Sequence, residues 1–348
     1  ITVPEAYGGS APSPSELTPL AVVIAHEELS AVDPGFCLAY LAHSLLCVNN
    51  IAVNGTEEQK ARFLPKLCTG EWVGAMGMSE PQAGTDVMGL STTARREGDL
   101  YILNGRKMWI TNGSIDDNGT PCDCVYLYAR TGVEPNGKPE VSSFIVTRED
   151  PGFQVGQKIS GKLGMRASNT AELCFDDCRI PISQRIGEEG DAVLHMMRNL
   201  ELERLGLAAM SLGIARRALE IMVKYSGERK AFGKQLHEFG QIQRYIGDSF
   251  AEYRAAKAYI HSVASSMNLH ASGNRLDSDG VKLFAAPIGK RIADRAIQVL
   301  GGYGYVGEYT VERLWRDSKL LEIGGGTLEA HQKNIARDLS LRTSLEFD

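Results

Sequence analysis

Two hydrophobic periods divide this chain, and their order restricts the folds open to it. Residues 14 to about 68 carry apolar positions at helical spacing, in "ELTPLAVVIAHEELSAVDPG" and "GTEEQKARFLPKLCTG". Thr56 is placed to cap the start of the second segment and Gly70 to end it. From about 71 to 182 the pattern alternates, as strands do, in "LYILNGRKMWITNG", "DCVYLYAR", "SSFIVTRE" and "AELCFDDCRIP". The Asn-Gly pair at 104–105 predicts a hairpin turn, and "TGVEPNGKPE" (131–140) predicts a polar loop. From about 188 onward the helical period returns. Leu202, Leu205, Ala209, Leu212, Leu219 and Met222 form one apolar stripe. Helices, strands, then long helices point to an α+β multidomain protein rather than an alternating doubly wound sheet. We expect an N-terminal helical domain (1–70), a middle β-domain (71–182) and a C-terminal helical bundle (183–348).

Composition narrows the partners. At 348 residues and a formal net charge of -6, the chain is large enough for several domains. Its acidic balance offers no electrostatic reason to bind nucleic acid. No apolar run looks long enough for membrane insertion, which needs about 18–20 residues. The seven cysteines include no CxxC pair and the seven histidines no HExxH, so we expect neither a disulfide framework nor a metal. The chain opens without Met on a loop-like run, from which we expect a further N-terminal piece.

Several short stretches bear on chemistry. "GYGYVG" (302–307) matches a dinucleotide fingerprint, but it follows the helical spacing of Ile288, Ile292, Ala296 and Val299. A fingerprint of that kind has to follow a strand, so a helix end and a tight turn are expected instead. Glu203 would share its helical face with Gly206, Leu207 and Met210, with Asn199 behind. A carboxylate on so apolar a face is either desolvated, and so suited to proton transfer, or salt-bridged to a neighbouring helix. "MGMSEPQAGTD" (76–86) and "WITNG" (109–113) could frame a flat heterocycle or be plain sheet corners. "ERKAFGKQL" (228–236) sets Arg229 and Phe232 three apart, where the Arg fork suits a pyrophosphate. Gly324, Gly325 and Gly326 stand in a row before a helix, which is costly in chain entropy.

These segments, in this order, resemble the acyl-CoA dehydrogenase family over essentially the whole chain, on "MGMSEPQAGTD", "WITNG", "KLGMRASNT", "ERKAFGKQL", "QVLGGYGY" and "GGTLE". The resemblance implies a C-terminal four-helix bundle and FAD-dependent α,β-dehydrogenation of an acyl-CoA thioester. It implies that Met76, Met78, Ser79, Thr85, Trp109 and Thr111 line the flavin. Arg229, Phe232, Gln298, Gly301 and Gly302 would reach the FAD of a neighbouring subunit in a homotetramer, a dimer of dimers. Thr327 and Glu329 would meet FAD from the opposite side. Thr85, Glu201, Arg204, Gly324, Gly325 and Gly326 would be on the substrate side. Most relatives carry the catalytic Glu in the loop, where this chain has Gly325; a minority place it on a helix segment like "LELERLGLA", which makes Glu203 the expected base. The glycines would then leave room for a branched acyl group, and a backbone N–H near Gly325 would donate to the thioester carbonyl.

Two branches of the family put the base there, one acting on isovaleryl-CoA and one on long-chain acyl-CoA. "YLAHSLLCVNN", "LELERLGLA" and "RDSKLLEIGGGTLEA" look more like the isovaleryl branch, which implies leucine catabolism. Electron-transferring flavoprotein would be the acceptor, in the mitochondrial matrix of a eukaryote or the cytoplasm of a bacterium. Two departures from the pattern are Gly240, where this branch has a Gln contacting FAD, and Leu194, where relatives can have a substrate-facing Tyr. A non-catalytic acyl-CoA-binding relative, an acyl-CoA oxidase and a nicotinamide dehydrogenase are the rival readings.

Overall fold

The computed structural model describes residues 1–11, 19–268 and 273–341. Helices come first: α1 (Pro19–Val32), α2 (Pro34–Leu41), a π-helical stretch (Ala42–Val48), α3 (Asn49–Asn54) and α4 (Glu57–Thr69). Eight strands follow: β1 (Gly74–Gly77), β2 (Thr93–Glu97), β3 (Leu100–Thr111), β4 (Cys124–Val133), β5 (Pro139–Thr147), β6 (Phe153–Lys158), β7 (Thr170–Pro181) and β8 (Arg185–Ile186). The rest is largely helical: α5 (Ala192–Glu228), a small hairpin of β9 (Lys230–Ala231) and β10 (Lys234–Gln235), then α6 (Gly240–Ser266) and α7 (Arg275–Leu300). The short α8 (Gly302–Tyr305), α9 (Val311–Leu321) and α10 (Leu328–Ser340) complete it. The α+β class expected from the periodicities is the one observed.

The chain forms two compact units. One takes Leu38–Lys162, Ser168–Leu200 and the described residues near the N-terminus; the other takes the segment ending at Cys37, Leu163–Ala167 and the chain from Glu201.

In the first unit the strands pair in the order β6-β7-β3-β2-β4-β5-β8, with β1 added in parallel on β4. One core gathers Tyr101, Leu103, Val125, Leu127, Phe144, Leu173 and Phe175 from alternating positions of these strands. A second gathers Tyr126, Tyr128 and Ile145 with Leu64, Phe63, Ile51 and Val48 from the helices. Helix α4 is bounded as its sequence predicts. Thr56 and Gln59 form a reciprocal capping box, and Gly70 ends the helix in the left-handed region.

Three expectations fail here. Asn104–Gly105 is not a hairpin turn: β3 runs straight through it, and the β2–β3 reversal occurs at Gly98 instead. The pair makes a bulge in the β3–β7 ladder, where Asn104 bonds Asp177 and a Cβ on Gly105 would strike Thr92. The polar loop at 131–140 is also shorter than expected, because β4 continues to Val133 and β5 resumes at Pro139. Finally, the continuous helical run Pro34–Asn54 is long and apolar enough to cross a membrane, with a mean hydropathy of 1.6. The polar His43, Ser44, Asn49 and Asn50 hide that length in the sequence. Leu41, Leu45, Cys47, Val48 and Ile51 are buried, and a core helix passes the same length test.

In the second unit α7 is the central element, packing against α6, α9 and α10. Val281, Ala285, Ile288, Ile292, Ala296 and Val299 form its buried stripe. Each large aliphatic side chain contributes roughly 1.5–3 kcal/mol by leaving water. Helix α5 is buried all round from Glu201 to Ala215, whereas Leu219 farther along is only partly covered. Ser30 of α1 donates to the Met210 carbonyl at 2.8 Å, one of several ties that fix the α5 segment carrying Glu203.

Candidate functional site

In the second unit, Glu203 and the triple glycine converge. Glu203 is 6% exposed, and helical spacing sets the buried Leu207 and Met210 on its face of α5. Its Oε2 is buried with no hydrogen-bond partner among the described residues. Burial pushes the carboxyl pKa up, opposed by the charges of Arg204 and Lys282. No salt bridge within 4.0 Å joins Glu203 to another described residue, so among these residues it is buried without an ion pair.

The loop between α9 and α10 explains its three glycines separately. At Gly324 an added Cβ would meet nothing nearer than the Leu320 carbonyl oxygen at 3.6 Å, so this position has room. Gly325 has φ +65, and a Cβ there would lie 2.3 Å from Leu207 Cδ1 and 3.3 Å from Glu203 Oε1. The space expected beside Gly325 is therefore already filled, by Leu207 and by the carboxylate itself. Gly326 has φ +102 and lies against the His331 ring. Thr327 then caps α10, its hydroxyl accepting from Ala330 N at 3.3 Å, with Glu329 exposed in the first turn.

What holds this loop was not legible in the motifs. Lys282 of α7 is buried, and its ammonium donates to the carbonyls of both Gly324 and Gly326 and approaches His331 Nε2 at 3.2 Å. His331 Nδ1 lies 2.7 Å from Asp279 Oδ1, and Asp279 also forms an ion pair with Arg204 (3.0 Å) and accepts from Asn334 (3.1 Å). Arg204 reaches toward the Gly325 carbonyl at 3.5 Å. Burial holds Lys282 down to about 8 and lowers His331 as well. The one hint in the sequence is a pair of charges, Asp279 and Lys282, inside an otherwise apolar helical stripe. Glu201 points elsewhere, to Asn274 at 3.1 Å, and burial raises its pKa.

The first unit assembles a different group. Trp109 is 56% exposed on β3, in the left-handed region (φ 59) at a second irregularity of the β3–β7 ladder. Beside it, Met108 N donates to Ser79 O at 2.9 Å, which brings the turn after β1 against the tryptophan strand. Met76 and Thr111 are half-buried, Met78 is buried and Thr85 is exposed on that turn. A buried ion pair missed by sequence reasoning fixes the turn. Lys107 Nζ contacts Glu80 Oε1 at 2.8 Å and the Met78 carbonyl at 3.1 Å, while Glu80 also accepts from Ser91 N and Thr92 N. Burial alone would raise the Glu80 carboxyl, but Lys107 and these donors take it to about 2. An exposed indole beside a braced turn of small polar residues suits the face and edge of a flat heterocycle.

The remaining predicted residues gather at one end of the second unit. Arg229 follows the last turn of α5, and Phe232, 94% exposed with φ 51, tips the β9–β10 hairpin. Tyr225 packs edge-on against Tyr309 and lies 6.4 Å from Tyr303, which brings the end of α5 next to the exposed Gly301 and Gly302. Gln298 is exposed on the last turn of α7. "GYGYVG" follows a helix, as expected, with Gly301 as its cap, so it is no dinucleotide fingerprint. Gly240 opens α6, and Leu194 is exposed near the start of α5. No group of three or more metal-ligating side chains occurs among the described residues.

Comparison with known proteins covers the whole length. Models of the acyl-CoA dehydrogenase N-terminal, middle and C-terminal domains match residues 1–71, 75–178 and 193–340. A mitochondrial isovaleryl-CoA dehydrogenase of Oryza sativa subsp. japonica is 40% identical over 97% of this chain and 80% of its own. The structure of butyryl-CoA dehydrogenase from Megasphaera elsdenii is 36% identical, with a TM-score of 0.90 over 97% of this chain and 85% of that one. A chain in the structure described as the electron transferring flavoprotein of Acidaminococcus fermentans is also 36% identical, with a TM-score of 0.90 over 98% and 86%.

Proposed function

The chain belongs to the acyl-CoA dehydrogenase family and is an FAD-dependent oxidoreductase, and on that premise we propose that it oxidises isovaleryl-CoA to 3-methylcrotonyl-CoA with Glu203 as its base. The observation that carries the reading is the buried Glu203 carboxylate, one oxygen unpartnered, facing a loop residue with no side chain. The resemblance implies a carboxylate where this chain has Gly325, and a side chain there would begin 3.3 Å from Glu203 Oε1, so the two positions reach one space.

Bound FAD would supply the acceptor for the hydride lost from the substrate β-carbon. The residues fit such a group: Trp109 presents an open aromatic face beside the turn that Glu80 and Lys107 brace. Met76, Met78, Ser79, Thr85, Trp109 and Thr111 would hold the ring system, and Thr327 and Glu329 would meet the cofactor too. Glu203 takes the α-proton: the C–H bond breaks, its proton passes to a carboxylate oxygen, and its electron pair stays in the substrate to form the double bond. Desolvation raises the basicity of that carboxylate, which suits it to abstract a weakly acidic proton. The backbone N–H near Gly325 would donate to the thioester carbonyl as charge builds there. Thr85, Glu201 and Arg204 are proposed on the substrate side, and the room at Gly324 supports a branched acyl group.

The exposed Arg229, Phe232, Gln298, Gly301 and Gly302 fit a role toward the cofactor of a second subunit, and hence a homotetramer. Electron-transferring flavoprotein is the proposed acceptor. The mitochondrial relative supports a matrix location if the source is a eukaryote, and cytoplasm applies if it is a bacterium. The test is an anaerobic titration followed by flavin absorbance. Bleaching by isovaleryl-CoA and not by palmitoyl-CoA or butyryl-CoA supports the reading. Bleaching by palmitoyl-CoA alone moves the enzyme to long-chain substrates, and no bleaching by any of them refutes the isovaleryl-CoA reading.

A further inference from the structure

Lys282 has no task in the chemistry described so far, yet its placement is costly. A lysine ammonium is seldom buried unless it is fully bonded, and this one is wholly covered. Its three protons have three acceptors: the carbonyls of Gly324 and Gly326, and His331 Nε2. With Nδ1 donating to Asp279, the neutral ring leaves Nε2 to accept from Lys282, and the same Nε2 lies 3.0 Å from the Gly326 carbonyl. A relay of three groups from α7 and α10, Asp279, His331 and Lys282, therefore ends on the carbonyls that flank Gly325.

The charges around the base are mixed. Arg204 on α5 and Lys282 on α7 are positive, Glu203 on α5 and Asp279 on α7 are negative, and burial lowers the pKa of His331 on α10. Glu201, also buried on α5, interacts with Arg204 as well but is turned to Asn274. Once Glu203 has taken a proton, the cluster is one unit more positive than before, in a buried setting where charge interactions are strong. The electron pair left on the substrate is the compensating negative charge.

We propose that Lys282 is a positioning residue for the reaction: it clamps the carbonyls on either side of Gly325 so that the loop stays against Glu203, and it keeps a positive charge near Glu203 at the moment the substrate becomes an α-anion. This rests on Glu203 being the base. The ligand class selected is an acyl-CoA thioester ionised at the α-carbon. Burial also places the loss of the Lys282 proton at about 8, within reach of an ordinary pH titration.

The test uses the FAD-loaded enzyme and acetoacetyl-CoA, which ionises at its α-carbon but has no hydride to give from its oxidised β-carbon. The readout is the pH at which the bound probe becomes its enolate, followed by ultraviolet absorbance. A thioether analogue of isovaleryl-CoA, which lacks the carbonyl and cannot form an enolate, reports binding alone. Lys282→Met is expected to reduce the bound enolate at fixed pH by about ten-fold or more, one pKa unit, with thioether binding changed by less than about three-fold. Lys282→Arg is expected to restore the enolate. Unchanged enolate formation in Lys282→Met, or equal losses for both ligands, overturns the proposal, the second outcome meaning that the lysine is merely structural. Should Lys282→Met not fold, Lys282→Arg decides alone: the fall in enolate binding of the wild type above about pH 8 must shift upward, and an unmoved alkaline limb overturns the proposal. Failure of the underlying reading is separate, since it appears as Glu203→Gln enzyme still bleached by isovaleryl-CoA.

Discussion

Replacing Gly325 by Ala, with Gly324→Ala as its partner, isolates what the triple glycine is for. At Gly325 the backbone has φ +65, a region that costs an L-residue roughly 1–2 kcal/mol. The new methyl would also begin 2.3 Å from Leu207 Cδ1, and Leu207 is buried with little room to retreat. Overpacking of that kind costs about 1–3 kcal/mol. Stiffening of the unfolded chain returns only about 0.4–1 kcal/mol, so a net loss of about 2–4 kcal/mol is expected. Gly324 has neither the positive φ nor the contact, its nearest neighbour being 3.6 Å away. Gly324→Ala should therefore be neutral or gain up to about 1 kcal/mol. Scanning calorimetry of the FAD-loaded proteins reads the difference, at roughly 2–4 °C per kcal/mol for a folding unit of about 150–250 residues. A midpoint about 5–15 °C lower for Gly325→Ala, with Gly324→Ala unmoved, is the expected pattern. Equal shifts in the two variants would refute the reasoning, because nothing but local backbone and contact geometry separates these glycines.

Glu203→Gln should lower the rate of flavin reduction by at least about 10²–10⁴-fold while FAD absorbance and acyl-CoA binding persist, as stopped-flow and equilibrium dialysis would show. The acid limb of kcat/KM should have its midpoint above the ordinary glutamate value of 4.5, since burial raises the Glu203 pKa and only the ionised form is a base; a midpoint at or below 4.5 in a pH–rate profile would contradict this. Enlarging Gly324 to Leu should cost branched substrates more than straight short ones, and equal losses in kcat/KM would remove the argument for room there. Glu80 has a folded pKa depressed to about 2, so its contribution to stability is complete above its unfolded value of about 4.5 and is lost as pH falls from there toward 2. Urea unfolding of Glu80→Gln should accordingly show less acid-induced loss across that window than the wild type does.

Much of the architecture was open to reading because it rests on local rules. Apolar spacing in Ile288, Ile292, Ala296 and Val299 predicts a helix with one buried stripe, and Thr56 and Gly70 mark the two ends of α4. Glu203 was legible as an odd charge on an apolar face, because helical geometry alone sets its neighbours. Asn104–Gly105 misled for the same reason: the pair is chemically a turn, and only the ladder with β7 and the approach of Thr92 make it a bulge. The length of the run Pro34–Asn54 was hidden because polar residues interrupt it, while the backbone continues as helix through a π-helical stretch.

Sequence alone therefore determined the helical or strand character of most segments, the caps of α4 and the odd place of Glu203 on an apolar face, all of which depend on residues within a turn or two of each other. Tertiary structure alone decided the cluster around that base. Lys282, His331 and the Gly324–Gly326 carbonyls are separated by up to 49 positions and meet only when α7 and α10 pack. It also separated three identical glycines into one with room, one pressed against Leu207 and Glu203, and one against His331. The physical reason is range: propensity and periodicity act along a few residues of chain, whereas burial, charge balance and close contact are properties of which distant segments share a space.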